Sequence, residues 1–286
     1  MGLIELLVEP LQYDFMIRAL ITAVASSAVC AVLSCWLILI GWSLMGDAVS
    51  HAVLPGVVLA YIVGVPYSIG AAASGFIAVA LIGALRSTSG LKEDAAIGAV
   101  FSTFFALGLV LISVTPSQID LNHIIFGSLL GVSDTDLIQV LTLSGAVLIV
   151  LLAMRRNFTL FAFDPGHAHT IGLNPRLLAA TLLGLLALTS VVALQAVGVV
   201  LVVALLIIPG ATAFMLTTSI QRMLLIAPAT AVFSALAGVY LSYYLDTSTG
   251  PTVVLMNASV LLLTYAAVQI NRLTRSRRGS PQFRQG

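Results

Sequence analysis

The chain has 286 residues, of which 60% are hydrophobic and only 8% are charged, and its mean hydropathy is +1.12. Soluble domains carry about 25% charged residues, so this composition excludes a soluble protein and indicates a polytopic membrane protein. The formal net charge of +1 gives no sign of nucleic-acid binding. The sequence therefore predicts an all-α fold whose helices cross a lipid bilayer.

About nine apolar segments follow one another, each long enough for a transmembrane helix. The predicted spans cover residues 16–41, 43–65, 67–86, 95–114, 136–154, 177–196, 198–218, 223–245 and 252–271. The first two spans, and also the sixth and seventh, are almost contiguous, so a merged helix would lower the count. We expect one transmembrane domain over residues 1–274, followed by a disordered cytoplasmic tail over the polar residues 275–286.

The positions of the arginines predict the orientation of the chain. Positive residues gather after the third and fifth spans, before the eighth span and in the tail. With nine spans, all of these groups lie on one side, which the positive-inside rule makes cytoplasmic. The N-terminus is then outside and the C-terminus inside, and Arg18 is the exception on the outer side.

Asp47 and His51 lie four residues apart inside the second apolar span, within the motif MGDAVSHAVLPG of residues 45–56. This spacing places both side chains on one helix face, with Ser43 and Ser50 near the same stripe. Ionisable groups are costly in a bilayer and usually face a pathway or a binding site. Because a carboxylate and an imidazole suit divalent transition metals, the pair predicts a metal contact. Two ligands are too few for a stable site, so a second helix or a second copy of the chain must contribute.

The same pair supports other interpretations. Its members can simply satisfy each other as a buried polar pair between helices. They can also form the proton relay of a secondary, proton-coupled metal transporter, which needs no ATPase partner. An intramembrane enzyme that uses the pair as acid and base is a further possibility, although no nucleophile accompanies it.

Two Pro-Gly pairs predict breaks in membrane helices. Pro55-Gly56 closely follows His51, and Pro209-Gly210 lies in the seventh span, within ALLIIPGATA of residues 204–213. Proline removes a helix hydrogen bond, and broken helices near the midplane mark binding sites in many transporters. These residues are therefore candidates for the transport pathway or for plain kinks.

The longest positive loop contains a predicted short helix. Asp164 can cap it, Pro165 can occupy its first turn and Gly172 can end it. A short cytoplasmic helix around Ala168 is suited to contact a partner protein. His167 and His169 form only an isolated pair, which is not a metal site by itself.

Two outer residues receive structural interpretations. His123 lies in residues 119–131, which are apolar enough for a short re-entrant helix, and is interpreted as a surface or packing residue. Asp246 is interpreted as the cap of the turn that precedes the ninth span. A contribution of either residue to metal transport stays open.

The chain cannot form a Walker A phosphate loop. Lys92 is its single lysine and follows Leu91, so no Gly-Lys-Ser/Thr sequence exists. If transport uses ATP, another polypeptide must hydrolyse it. We therefore predict a transport subunit and not an enzyme.

Five motifs in order resemble the membrane permeases of bacterial zinc/manganese/iron-uptake ABC transporters. They occupy residues 45–56, 92–98 (KEDAAIG), 164–172, 204–213 and 246–255 (DTSTGPTVVL). The resemblance covers nearly the whole chain. It implies a type II importer fold like that of the vitamin B12 importer, located in the bacterial cytoplasmic membrane. Implied partners are a second copy of the chain, two cytoplasmic ATPase subunits and an extracytoplasmic metal-binding protein.

The resemblance also implies residue roles. Asp47 and His51 become the metal contacts, and the segment from Asp164 to Gly172 becomes the coupling helix that docks on the ATPase. The form of the first motif is closer to the manganese/iron branch, so manganese is the expected cargo, with iron or zinc as alternatives and no permanently bound cofactor. One departure concerns the two arginines that family members often carry before the Gly-Asp motif. This chain has Gly41-Trp42 there, so it lacks the charged anchor at the inner end of the first span.

The absent phosphate loop makes the ATPase partner obligatory. Purified alone and reconstituted in proteoliposomes, the chain should hydrolyse no ATP and accumulate no manganese against a gradient. Uphill accumulation by the isolated chain would contradict the ATP-driven mechanism.

Overall fold

A computed structural model of the protein describes residues 8–115 and 131–278, and every regular element in these ranges is a helix. A short 3-10 helix covers Glu9–Gln12. The first α-helices are α1 (Asp14–Ile40), α2 (Ser43–Ala52), α3 (Leu54–Val63), α4 (Tyr67–Thr88), α5 (Glu93–Val114) and α6 (Asp134–Ala153). They are followed by α7 (Arg155–Phe163), α8 (Pro165–Thr170), α9 (Pro175–Val197), α10 (Val199–Leu216), α11 (Ile220–Leu245) and α12 (Thr249–Arg278). The predicted all-α, multi-span fold is confirmed.

The predicted number of spans is too high. A helix lies at each of the predicted positions, but only seven candidate spans within the described residues are long and apolar enough to cross a membrane. The sixth and seventh predicted spans correspond to α9, of 23 residues, and α10, of 18 residues, which are not among these candidates. Gly198, at φ +80°, separates α9 from α10. Its backbone conformation favours glycine and lies at the boundary between the two predicted spans.

The second span consists of two helices that meet beside His51. Helix α2 ends at Ala52 and α3 begins at Leu54, with Pro55 in the first turn of α3. Proline has no N–H to donate to the carbonyl of His51, four residues earlier, so the hydrogen-bond ladder is interrupted. The Ser74 hydroxyl of α4 donates to the Ala52 carbonyl at 2.6 Å, which satisfies an acceptor at this junction.

Helix α10 behaves differently, because it continues through Pro209 and Gly210. The break expected there is thus not a helix end. The Ser34 hydroxyl of α1 accepts from the Gly210 N–H at 3.1 Å and donates to the Ile207 carbonyl at 3.5 Å. A neighbouring helix thus supplies a polar partner to backbone groups on both sides of Pro209, as is common beside proline in membrane helices.

Helix α1 forms the centre of the fold. Of its most apolar stretch 67% is buried, against 11% for α12, and it packs against α6, α9, α10 and α11. Leu33, Trp36 and Leu37 are fully buried. The Trp36 indole N–H donates to the Thr159 hydroxyl of α7 at 3.2 Å, so the polar tip of this large side chain is satisfied.

Helices α3 and α4 approach each other at two glycines. A Cβ placed on Gly56 would collide with the carbonyl of Gly70, and a Cβ on Gly70 would lie 2.6 Å from Cβ of Ala60. Small residues let backbones pack closely where no hydrophobic driving force acts between helices in lipid. The pair fixes α3, and with it the end of α2, against α4.

Some predicted features lie outside the described residues. These are His123, most of the predicted re-entrant segment 119–131, and residues 279–286 of the predicted tail. Helix α12 extends to Arg278, past the predicted start of the tail at residue 275. Asp246 lies in the left-handed conformation at φ 51° and ends α11, whereas α12 begins at Thr249.

The glycine contact can be tested on one helix. Gly70→Ala should destabilise the protein by about 1–3 kcal/mol, because the new methyl group overpacks the α3–α4 contact. Gly83→Ala, also in α4, is the matched control, since nothing lies within 4 Å of its Cβ position. It should leave stability unchanged or slightly raised, as alanine is the better helix former. Thermal unfolding in detergent gives the midpoint temperature of each variant. Equal midpoints for Gly70→Ala and Gly83→Ala would rule out the close contact.

Candidate functional site

Asp47 and His51 contact each other on α2. Nδ1 of His51 lies 3.2 Å from Oδ1 of Asp47 and 3.0 Å from its backbone carbonyl oxygen. The side chain of Asp47 is 36% exposed and that of His51 is 23% exposed. Both groups therefore share one helix face, as their spacing predicts, and this face remains partly open in a single chain.

The opposite face of α2 is buried and apolar. Ala48, Val49 and Ala52 are buried, and Gly46 lies against Leu206 of α10, where an added Cβ would be 3.2 Å from that side chain. Helix α2 also packs against α4, α5 and α9. Burial of one face sets the rotation of α2 and directs the polar pair to its open side.

The entry to α2 is held by an aromatic contact. Gly41 ends α1 in the left-handed conformation at φ +87°, and Trp42 follows as the first residue before α2. The Trp42 side chain is 6% exposed and its ring centroid lies 6.0 Å from that of Phe161 in α7. Where arginines are expected from the resemblance, a buried tryptophan joins this end of α2 to α7.

Two phenylalanines of α5 contact His51, and the sequence analysis did not anticipate them. The imidazole centroid lies 5.0 Å from that of Phe101 and 5.4 Å from that of Phe105, in near-perpendicular orientation to both rings. The two phenyl rings stack on each other at 6.0 Å. Their i,i+4 spacing is visible in the sequence, but their position opposite His51 depends on how α2 and α5 pack.

Two serines lie near the pair on α2. Ser50 is buried and its hydroxyl donates to the Asp47 backbone carbonyl at 2.8 Å. Ser43 is half-buried at the first residue of α2. Within residues 8–115 and 131–278 no group of three or more His, Cys, Asp or Glu side chains could hold a metal ion. The described part of one copy therefore brings together one carboxylate and one imidazole at this place.

The segment 164–172 forms a helix of its own. The His167 N–H donates to Oδ1 of Asp164 at 2.8 Å, so Asp164 caps α8, and Pro165 is its first residue. Gly172, at φ +88°, lies just beyond its end. Ala168 is fully buried, so it anchors α8 to the rest of the chain, while His167 and His169 are exposed.

Arg18 is explained by an ion pair that the sequence analysis did not anticipate. One of its guanidinium nitrogens lies 3.1 Å from a carboxylate oxygen of Asp134, at the start of α6. The contact joins the beginnings of α1 and α6, far along the chain from each other. The arginine that the predicted orientation places on the outer side thus has a structural partner.

Comparisons with known proteins extend these observations. Residues 12–268 match the ABC 3 transport family. The chain is 50% identical over 266 residues to a probable iron transport system membrane protein of Haemophilus influenzae, covering 92% of this chain and 98% of the relative. It is 49% identical over 257 residues to the manganese transport system membrane protein MntB of Synechocystis sp., covering 90% of this chain and 84% of the relative.

Solved structures agree with these sequence matches. PsaBC from Streptococcus pneumoniae, in complex with Fab, superposes with a TM-score of 0.85 at 36% identity and covers 92% of this chain and 95% of the other. A putative metal-chelate type ABC transporter in an inward-facing conformation reaches a TM-score of 0.72 at 17% identity over 88% of this chain and 86% of the other, and shares the fold. The chain belongs to the ABC 3 transport family, as a membrane permease.

Proposed function

We propose that this chain is the permease subunit of an ATP-driven importer of a divalent transition metal, most favourably manganese, with iron or zinc as alternatives. The observation that carries the proposal is the Asp47–His51 pair, partly open on one face of a membrane helix whose other face is apolar and buried. An oxygen and a nitrogen ligand are acceptable to all three metals. The relatives named for iron and manganese transport support the same class of cargo.

A second copy of the chain fits the incomplete ligand set. Asp47 and His51 give two ligands, whereas tetrahedral zinc takes four and manganese commonly takes more. A homodimer with the open faces of α2 turned toward a shared axis would double the set to four. The cargo is then held between two subunits and released when they separate.

Helix α8 is the proposed contact to the ATPase. It is short and capped, and its buried Ala168 fixes it to the body of the permease. A movement of the ATPase against the exposed side of α8 would therefore be transmitted to the membrane helices. His167 and His169 lie on that exposed side. Two cytoplasmic ATPase subunits would bind one α8 each, and an extracytoplasmic binding protein would deliver the metal at the opposite end.

The proposed location is the bacterial cytoplasmic membrane, with the C-terminus and α8 in the cytoplasm. The positive-inside rule supports this orientation, because Arg155, Arg156, Arg176 and the arginines at the end of α12 lie on the same side. Membership of an ABC family favours ATP as the energy source over the proton-relay interpretation of Asp47 and His51.

Replacement of His51 by aspartate tests the metal-ligand role. His51→Asp keeps a ligand but makes the site all-oxygen, so zinc uptake should fall more than manganese uptake, since zinc prefers nitrogen and sulfur. His51→Ala, which removes the ligand at this position, should abolish uptake of both metals. The measurement is competitive uptake by the complete complex, with ATPase and binding protein, across a range of pH. An unchanged metal ranking with a displaced pH optimum would instead indicate a proton relay.

The coupling role of α8 can be tested at its cap. Asp164→Ala removes the acceptor for the His167 N–H and should weaken the helix by about 0.5–2 kcal/mol, whereas Asp164→Asn keeps an equivalent cap. We expect severalfold less metal imported per ATP hydrolysed in the alanine variant and near-normal coupling in the asparagine variant. Equal coupling in both variants would show that the capped conformation of α8 does not matter.

A further inference from the structure

The environment of His51 restrains its ring on several sides. Nδ1 lies at hydrogen-bonding distance from two oxygens of Asp47, the backbone carbonyl at 3.0 Å and the carboxylate Oδ1 at 3.2 Å. Phe101 and Phe105 contact the ring at centroid distances of 5.0 Å and 5.4 Å, with interplanar angles of 89° and 81°. Hydrogen bonds and aromatic contacts come from two different helices, α2 and α5.

These contacts select one orientation of the imidazole. Rotation of the ring about its bond to Cβ would take Nδ1 away from Asp47 and turn the ring plane out of its perpendicular arrangement with both phenyl rings. Such edge-to-face pairs have a preferred geometry, because the face and edge of an aromatic ring carry opposite partial charges. The two phenyl rings also stack on each other at 6.0 Å, so neither moves without disturbing its neighbour.

The restraint has a chemical consequence for the two ring nitrogens. When Nδ1 carries the proton and donates it to Asp47, the lone pair of the neutral imidazole lies on Nε2. In the described residues no side chain or backbone group hydrogen-bonds Nε2 of His51. A histidine held this way by a carboxylate is the arrangement that fixes the tautomer of many metal ligands.

We propose that Phe101 and Phe105 are positioning residues for the cargo, which hold the ring of His51 beside Asp47 in an orientation that leaves Nε2 open to the metal. This inference rests on the proposed function and names residues of α5 that serve the same site. The phenylalanines touch the imidazole and not the metal. They lower the entropy that His51 loses when it binds, and they keep the binding-competent tautomer dominant.

Helix α5 contains its own matched control. Phe104 lies between the two positioning residues, is half-buried like them and has no ring contact with His51 among the described residues. Leucine keeps an apolar side chain at each position and removes the ring. The comparison is therefore Phe101→Leu and Phe105→Leu against Phe104→Leu, with Phe101→Tyr as the variant that restores a ring.

The experiment measures the binding of Mn²⁺ to the permease–ATPase complex in nanodiscs. Mn²⁺ is the only metal added, and the binding protein is left out. Electron spin-echo modulation from nitrogen reports whether an imidazole is bound to Mn²⁺. Phe101→Leu and Phe105→Leu should each raise the Mn²⁺ concentration for half-maximal nitrogen signal about two- to tenfold, the size expected from loss of one aromatic pair. Phe104→Leu and Phe101→Tyr should stay close to the parent protein. Transport by the complete complex should show the same change in KM with kcat little altered.

The outcomes separate the inference from the proposed function. If His51→Ala leaves the nitrogen signal and Mn²⁺ uptake intact, the proposed function fails and the inference fails with it. If His51→Ala abolishes both, while the leucine variants at 101 and 105 match Phe104→Leu, only the positioning role is overturned. Equal weakening in all three leucine variants also overturns it, because the effect would then come from general packing of α5.

Discussion

The hydrocarbon core of a bilayer offers no water, so each backbone N–H and C=O within it needs a partner inside the protein. Serine hydroxyls serve as such partners near two prolines of this chain. Ser74 donates to the Ala52 carbonyl where α2 meets α3, and Ser34 bonds both Ile207 and Gly210 beside Pro209. Helix α2 gives way to α3 within one candidate span, Ser43–Val63, whereas α10 continues through its proline. The short helix α2, which carries the polar pair, ends at the first of these places.

The surroundings of Asp47 and His51 lower the free-energy cost of holding ionisable groups in the membrane. An isolated charge at the bilayer centre costs several kcal/mol or more, so ionisable groups there are normally paired or face a cavity. Asp47 and His51 do both, since they contact each other and stay partly exposed. The aromatic rings of α5 cover the apolar part of the imidazole. The site is thus partly buried and partly open.

Much of this arrangement could be read from the sequence, because it depends on local rules. Hydropathy located the helices, spacing placed Asp47 and His51 on one face, and capping chemistry predicted α8. What could not be read depends on which helices touch. Phe101 and Phe105 look like any phenylalanines in an apolar span until α5 packs on α2. Ala168 looks like a contact residue until the packing of α8 buries it.

The contact between Gly46 and Leu206 links the polar pair to the centre of the fold. Glycine presents no side chain there, so α2 lies directly on α10, and α10 is hydrogen-bonded through Ser34 to the buried central helix. On another side of the pair lies α5, whose apolar stretch is only 22% buried and whose Phe101 and Phe105 contact the His51 ring. A displacement of α5 would therefore change both the exposure of the pair and the orientation of the imidazole.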